Sequence, residues 1–381
     1  MKNAKRFIGI ATTVCFGLTL ASGLLCAKAF AAAKEVKIGF ALSMTGGAAA
    51  YGATQKEGAQ LAVDQINAAA GANGLKIKAI FEDDASSPQQ GVNVFNKLIN
   101  GDRVAMIIGP TLSNTAKVTD RMAQQAGVPV MGISNTAPGI TEIGDYVFRD
   151  SLTEAVVIPH TIEVAKKKFG LHKVAVLYGN DDAFTKGGYV AFMKALKDNG
   201  LKVLTEQTFA KGDRDFSAQL TQIKSMNPDA IIVSALVEEA TGIVLQARQL
   251  GITVPIIGGN GFNSPALIKN AGSAAEGVLI GAAWIISSPQ PMNKKFVADF
   301  TAKYGNPPGQ FAAQAFAGVH IAYEAIKKAG STDHKAIRDS LAKIKDFETV
   351  LGKFSFTAGR DAGYTPIVQI VKNGKFVLLS E

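Results

Sequence analysis

Cysteine is nearly absent from this chain. Its 381 residues include two, Cys15 and Cys26, both within the first 26 positions. The remainder therefore holds no disulfide framework and no thiolate metal site. Histidine is scarce too: His160, His172, His320 and His334 are scattered, without metal-ligand spacing. The chain has no P-loop, and its glycines never fall as G-x-G-x-x-G between a strand and a helix. It has no G-x-S-x-G elbow either. With no catalytic constellation, an enzyme is the remote reading, and the sequence calls for no metal and no cofactor. A basic run that would grip nucleic acid is missing as well. The formal charge is +9, but Lys2, Lys5, Arg6 and Lys28 belong to the N-terminal segment. The densest run elsewhere, Lys166-Lys167-Lys168, reads as a helix end, where cations favour the dipole. No aromatic interleaving supports single-strand binding.

What is present begins with the first 31 residues. A basic head is followed by an apolar run, Phe7 to Leu25, and by the small-residue exit Ala29-Phe30-Ala31. This is the build of a cleaved secretory signal peptide over 1–31. A membrane anchor is the competing reading, since about 18 apolar residues suffice to span. Lipid attachment at Cys26 is disfavoured by Leu25 before it. Export points away from nucleotide chemistry and toward capture of something small.

The whole chain is 47% hydrophobic, and the part past the leader is long enough for two lobes. Strand and helix patterns alternate. Val36, Ile38, Phe40 and Leu42 recur at period 2; Ala59, Ala62, Val63 and Ile66 recur at helical spacing. Further strands are expected at 75–81, 105–108 and 128–131. The pattern restarts near Asp150, with strands at 173–178, 203–208, 230–235 and 255–258 and helices between them. After Trp284 it turns helix-rich, over 293–304, 310–328 and 335–344, and closes with strands 366–372 and 375–379 around the turn Asn373-Gly374. Alternation with short loops predicts two α/β halves, each a doubly wound parallel sheet. No low-complexity linker separates them, which favours several short crossings and a hinge.

In parallel sheets, ligands sit beyond the carboxyl ends of strands. The loop from Gly109 to Thr115 runs into a helix and carries Thr111, Ser113 and Thr115. It is either an anion site suited to a carboxylate or a plain N-cap at Ser113. The loop Gly132-Ile133-Ser134-Asn135-Thr136 repeats the hydroxyl-rich design on the neighbouring strand. Asp83-Asp84 reads as a cap for a helix near Pro88. Gly179-Asn180-Asp181-Asp182 reads as a strand-end turn or a cleft contributor. Gly258-Gly259-Asn260-Gly261 leaves Asn260 as the one polar side chain where the backbone allows close approach. Glu238-Glu239 suits a helix start, or counters a cationic ligand.

The stretches Ala41-Leu42-Ser43-Met44-Thr45-Gly46, Tyr51-Gly52, Gly109 to Ser113, Ser134 to Pro138, Asp213 to Leu220 and Gln246 to Gly251 carry a resemblance. Over essentially all of the chain past the leader, the sequence resembles the periplasmic leucine/isoleucine/valine-binding protein family of branched-chain amino-acid ABC importers. The resemblance implies a type I periplasmic binding fold: two doubly wound lobes joined by a three-crossover hinge. Lobe 1 would comprise 34–149 plus 284–352, and lobe 2 150–283 plus 353–381. It implies a monomer in the periplasm that captures a small carboxylate and delivers it to ABC permease subunits. The ligand would be a branched-chain or other hydrophobic amino acid. Ser113, Ser134 and Thr136 would hold its carboxylate, and Tyr51 would lie at the cleft rim. The second lobe departs from the pattern. Two tyrosines of the family fall on Phe184 and Leu236, and the acid that pairs with the ligand's ammonium falls on Asn260. The family's disulfide is absent, with Leu112 at one half-cystine position. Either Glu238 or Glu239 supplies the missing charge, or the ligand is an aromatic or aliphatic acid without an ammonium group.

Overall fold

The computed structural model describes residues 35–71 and 74–379. The segment read as a signal peptide, with Cys26, lies outside the described residues. Strand β1 (Glu35–Leu42) turns Val36, Ile38, Phe40 and Leu42 into the core, as the period-2 pattern requires. Around it lie β2 (Lys76–Asp83), β3 (Met106–Ile108), β4 (Val130–Gly132) and β5 (Val147–Arg149). All are parallel, in the order β2-β1-β3-β4-β5. Parallel neighbours need crossovers. The helices α1 (Ala49–Ala70), α2 (Pro88–Asn96) and α3 (Ser113–Ala126) supply three of them.

Helix α4 (Glu154–Phe169) begins the second half, and its last turn carries Lys166, Lys167 and Lys168, where cations meet the dipole. There follow β6 (Lys173–Gly179), α5 (Ala183–Asp198), β7 (Lys202–Phe209), α6 (Ser217–Ser225), β8 (Ala230–Ser234), α7 (Val237–Gln249), β9 (Ile256–Gly258), α8 (Pro265–Ala271) and β10 (Leu279–Ala282). These strands run β7-β6-β8-β9-β10, the order of the first sheet repeated. The chain then returns to the first half with α9 (Pro291–Tyr304), α10 (Gln310–Ala329) and α11 (His334–Leu341). Helix α10 is buried without interruption from Gln310 to Val319, where it packs on α1. A small antiparallel group follows: β11 (Phe347–Thr349), β12 (Gly352–Phe356) and β13 (Ala362–Gly363). Its Phe354 and Ala362 join the core of the first half. Strands β14 (Ile367–Lys372) and β15 (Lys375–Leu378) finally add an antiparallel hairpin to the second sheet. Its turn residues Asn373 and Gly374 both have positive φ, the geometry an Asn-Gly hairpin favours. The backbone thus passes between the sheets three times, at 150–153, 283–290 and 364–366.

Strands β5, β10 and β11 to β13 and helix α8 are additions to the sequence reading. Strands β5 and β10 are three and four residues long and buried throughout, so no alternation marks them. Asp83 and Asp84 do not cap α2; Ser87 does, accepting from the Gln90 N–H. Asp83 instead accepts from the Met44 and Thr45 N–H groups, and Asp84 from the Ser43 hydroxyl and the Ser86 N–H. The pair ties two neighbouring strand ends together.

Candidate binding cleft

The carboxyl ends of β3 and β4 face those of β8 and β9. Between them lies a cavity of about 20 Å³, lined by Tyr51, Thr111, Leu112, Ser113, Ser134, Asn135, Phe184, Leu236, Asn260, Gly261 and Phe311. That is room for about one water, so entry of anything larger requires the halves to part. A larger cavity of about 650 Å³ opens beside residues 283–290. It contains none of the loop hydroxyls, and volume alone does not define a site; the convergence of polar groups favours the smaller one.

The first half contributes a polar floor. Ser113 is the first residue of α3, whose cap position is Leu112, and no side chain caps this helix. The plain N-cap reading of Ser113 therefore fails. Its Oγ reaches sideways and accepts from the Thr136 N–H and the Ala137 N–H, each at 3.2 Å. With two bonds accepted, its own proton remains to be donated. The uncapped first-turn N–H groups of α3 stand beside it, and they carry the positive end of the helix dipole. Ser134 is engaged differently. Its hydroxyl donates to Thr111 O at 2.7 Å and accepts from Gln55 Nε2 at 2.8 Å. Gln55 also takes the Thr111 hydroxyl at 2.7 Å, and Thr111 accepts from the Ser43 N–H. The Ser134 hydroxyl is thus spent inside the floor. Thr136 Oγ1 is buried and makes no hydrogen bond.

The second half contributes a wall. Phe184, in the first turn of α5, and Leu236, at the cap position of α7, are both buried against the cavity. Asp182 caps α5 through the Phe184 and Thr185 N–H groups; burial pushes its carboxyl above the ordinary range. Gly261 lets the backbone close in: a methyl group there would stand 2.1 Å from Ala235 O. Asn260 takes Gln310 Nε2 on its Oδ1 at 2.6 Å and reaches Ser134 O with its Nδ2 at 3.4 Å. Glu238 lies outside this arrangement. It is exposed and points toward Gly47, across the mouth of the cleft. Glu239 is buried, but accepts from the Gly212 N–H at 2.8 Å and lines a separate recess with Asp182 and Lys211. Neither acid is brought to the cavity, because α7 starts at Val237 and turns both away from it.

Tyr51 is more than a rim residue. It is buried, its ring lies on Phe311 at 4.5 Å, and its hydroxyl donates to Gly261 O at 2.7 Å, joining the two halves. Burial, and secondarily the charge of Glu239, raise its pKa well above the usual phenol range, so it stays a donor. The Ala183 N–H donates to Asn114 Oδ1 at 2.9 Å, a second tie between the halves.

Four participants escaped the sequence reading, and a fifth, Thr111, was not singled out. Gln55 stands one turn after Tyr51 on the same face of α1, and that i, i+4 spacing was its only signal. Gln310 and Phe311 open α10 directly after Pro307-Pro308-Gly309. Thr111 was visible only as one hydroxyl among several. Glu154 reads in sequence as an ordinary first-turn acid of a helix. In the fold it is 3% exposed, accepts from the Asn260 N–H at 3.1 Å, and leaves its other oxygen unpaired. Burial pushes its pKa up to about 7, against the opposing pull of that N–H and of the Thr136 hydroxyl. Among the described residues, no group of three or more His, Cys, Asp or Glu is placed to hold a metal ion.

Comparison with known proteins bears on the family and the fold. A family model described as periplasmic binding protein matches residues 35–375. A leucine-, isoleucine-, valine-, threonine- and alanine-binding protein of Pseudomonas aeruginosa is 30% identical, covering 85% of this chain and 86% of its own. Among solved structures, the branched-chain amino acid transporter substrate binding protein LivJ from Streptococcus pneumoniae, in complex with isoleucine, superposes with a TM-score of 0.85. It is 34% identical and covers 90% of this chain and 98% of its own. An ABC transporter solute binding protein from Rhodopseudomonas palustris, in complex with 3,4-dihydroxy benzoic acid, superposes with a TM-score of 0.81 at 28% identity, covering 90% and 95%.

Proposed function

The chain belongs to the periplasmic binding protein family, and from that premise we propose that it captures a hydrophobic amino acid by its carboxylate and delivers it to an ABC permease. The two sheets with their helices act as lobes, 35–149 with 284–363 and 150–283 with 364–379; the boundary expected at 352/353 moves to the third crossing because Phe354 and Ala362 pack in the first core. The protein works as a monomer in the periplasm, exported by a leader that is cleaved near residue 31 rather than lipidated at Cys26. It binds its ligand and releases it unchanged. The ligand carboxylate sits at the start of α3, held by the Ser113 hydroxyl and the first-turn N–H groups, with Thr136 beside it. Phe184 and Leu236 pack on its side chain. The observation that carries this reading is the state of Ser113: its acceptor capacity is filled and its donor is free, at a dipole-positive and uncapped helix start. Differential affinity for the closed arrangement drives closure.

A second reading keeps the carboxylate site and changes the ligand to a non-amino organic acid. Asn260 and the apolar pair Phe184 and Leu236 favour it, as does the likeness to a protein solved with an aromatic acid. Calorimetric titration of ligand-stripped protein with leucine and with 4-methylpentanoate, its deaminated analogue, separates the two. Leucine alone should bind tightly. Binding of 4-methylpentanoate alone establishes the organic-acid carrier, and silence from both removes the carboxylate reading.

A further inference from the structure

Beside the cleft, two buried polar atoms with nothing to bond stand near one another. One is Thr136 Oγ1, on the loop after β4; the other is Glu154 Oε2, at the start of α4. Glu154 enters on the first crossing between the sheets and lies behind the Gly259–Asn260 backbone. Its Oε1 is fixed by the Asn260 N–H, and a methyl group at Gly259 would come within 2.6 Å of Oε2. The Thr136 hydroxyl stands close to this carboxyl without completing a hydrogen bond. Gly188, with Ser234 against it, lies beside the Glu154 Cγ, and Ile158 lies beside Gly259. Among the described residues no charged side chain bears on it: burial and two polar neighbours are the causes that act on Glu154. The nearby acids are turned elsewhere. Asp150 lies against Gly318, Asp182 caps α5, and Glu239 holds the Gly212 N–H.

A buried carboxylate with a bare oxygen and no cation is costly. A primary ammonium has three donors and no acceptor, which complements an unpaired carboxylate oxygen and an unpaired hydroxyl oxygen. Asn260 cannot fill that role, because its Oδ1 already holds Gln310 and its amide carries no charge. We propose that Glu154, together with Thr136, is the receptor for the ligand's α-ammonium group, so that the bound molecule is an amino acid and not a plain organic acid. The inference rests on the carboxylate reading above. Thr136 then stands between the two poles of the ligand: its N–H positions Ser113 for the carboxylate, and its hydroxyl faces the ammonium.

The pH dependence follows with a definite sign. Half-protonated near neutrality, Glu154 must ionise to receive an ammonium. Leucine binding at pH 6.5 should release protons, and affinity should rise by up to about tenfold per pH unit from 5.5 toward 7. A plain carboxylate bound nearby would take protons up instead.

The experiment is calorimetry of the full mature protein at pH 5.5, 6.5 and 7.5, in two buffers of different ionisation enthalpy, with leucine and with 4-methylpentanoate. The variant Glu154→Gln keeps the acceptor for the Asn260 N–H and should weaken leucine about 100-fold or more, with little effect on 4-methylpentanoate. Proton release by the wild type tests the same point without any substitution. Leucine binding that is unchanged in Glu154→Gln, or that occurs without proton release, overturns the inference and leaves the carboxylate reading standing. Binding of 4-methylpentanoate alone also overturns it. Binding of neither overturns both.

Discussion

The two halves share one strand order and differ in what they hang on it. The loop after β3 carries Thr111 and Ser113; the loop after β8, its topological counterpart, carries Leu236. The loop after β4 carries Ser134 and Thr136; its counterpart after β9 carries Asn260 between glycines. The same architecture has been given hydroxyls on one side and hydrocarbon on the other. The difference divides the work. On the proposed reading, the first half holds the carboxylate through donors fixed by a buried network, and the second half meets the side chain by contact and offers Glu154 to the ammonium.

That division can be broken most severely at Ser113. Ser113→Ala removes the donor to the carboxylate and strips the Thr136 and Ala137 N–H groups of their acceptor. Titration should show a loss of about 1–3 kcal/mol for every carboxylate ligand, and the melting temperature should fall too. Thr136→Ala should lose a similar amount of affinity for leucine while leaving the melting temperature nearly unmoved, since its hydroxyl bonds nothing. Equal effects of the two on stability would break the distinction between a structural and a ligand-facing hydroxyl. Next comes the wall. Leu236→Ala should cost about 1–2 kcal/mol with leucine and almost nothing with alanine, measured by the same titration. A uniform loss across both ligands would show that the second half does more than read side chains. The smallest effect is expected at the tie between halves. Tyr51→Phe deletes one hydrogen bond made only when they meet, so affinity should fall by about 0.5–1.5 kcal/mol for all ligands alike.

The fold was readable because period-2 and helical patterns alternate cleanly along the chain. Of the strands that hid, β5 and β10 are uniformly buried and therefore patternless, and β11 and β13 are only three and two residues long. The hydroxyl loops were readable for a related reason: strand ends in a parallel sheet announce where a ligand goes. Glu238 was misassigned because adjacency in sequence does not fix which way a helix start faces. Glu154 was invisible for the opposite reason. An acid in the first turn of a helix needs no explanation until the fold buries it beside Asn260, 106 residues away. Gln310 likewise acquires meaning only when α10 returns to the cleft.

Helix α1 has a mechanical consequence. A methyl group at Gly52 would stand 2.0 Å from Ser43 O, and one at Gly58 would stand 2.1 Å from Ala312 O. The helix is seated flush on its neighbours at two points, one on either side of Gln55, so the residue it holds out toward the other sheet has no slack in its mounting. Tyr51 therefore cannot follow Gly261 if the halves move. The bond between them acts as a gauge stop, made only at the separation at which Tyr51 meets Gly261 O.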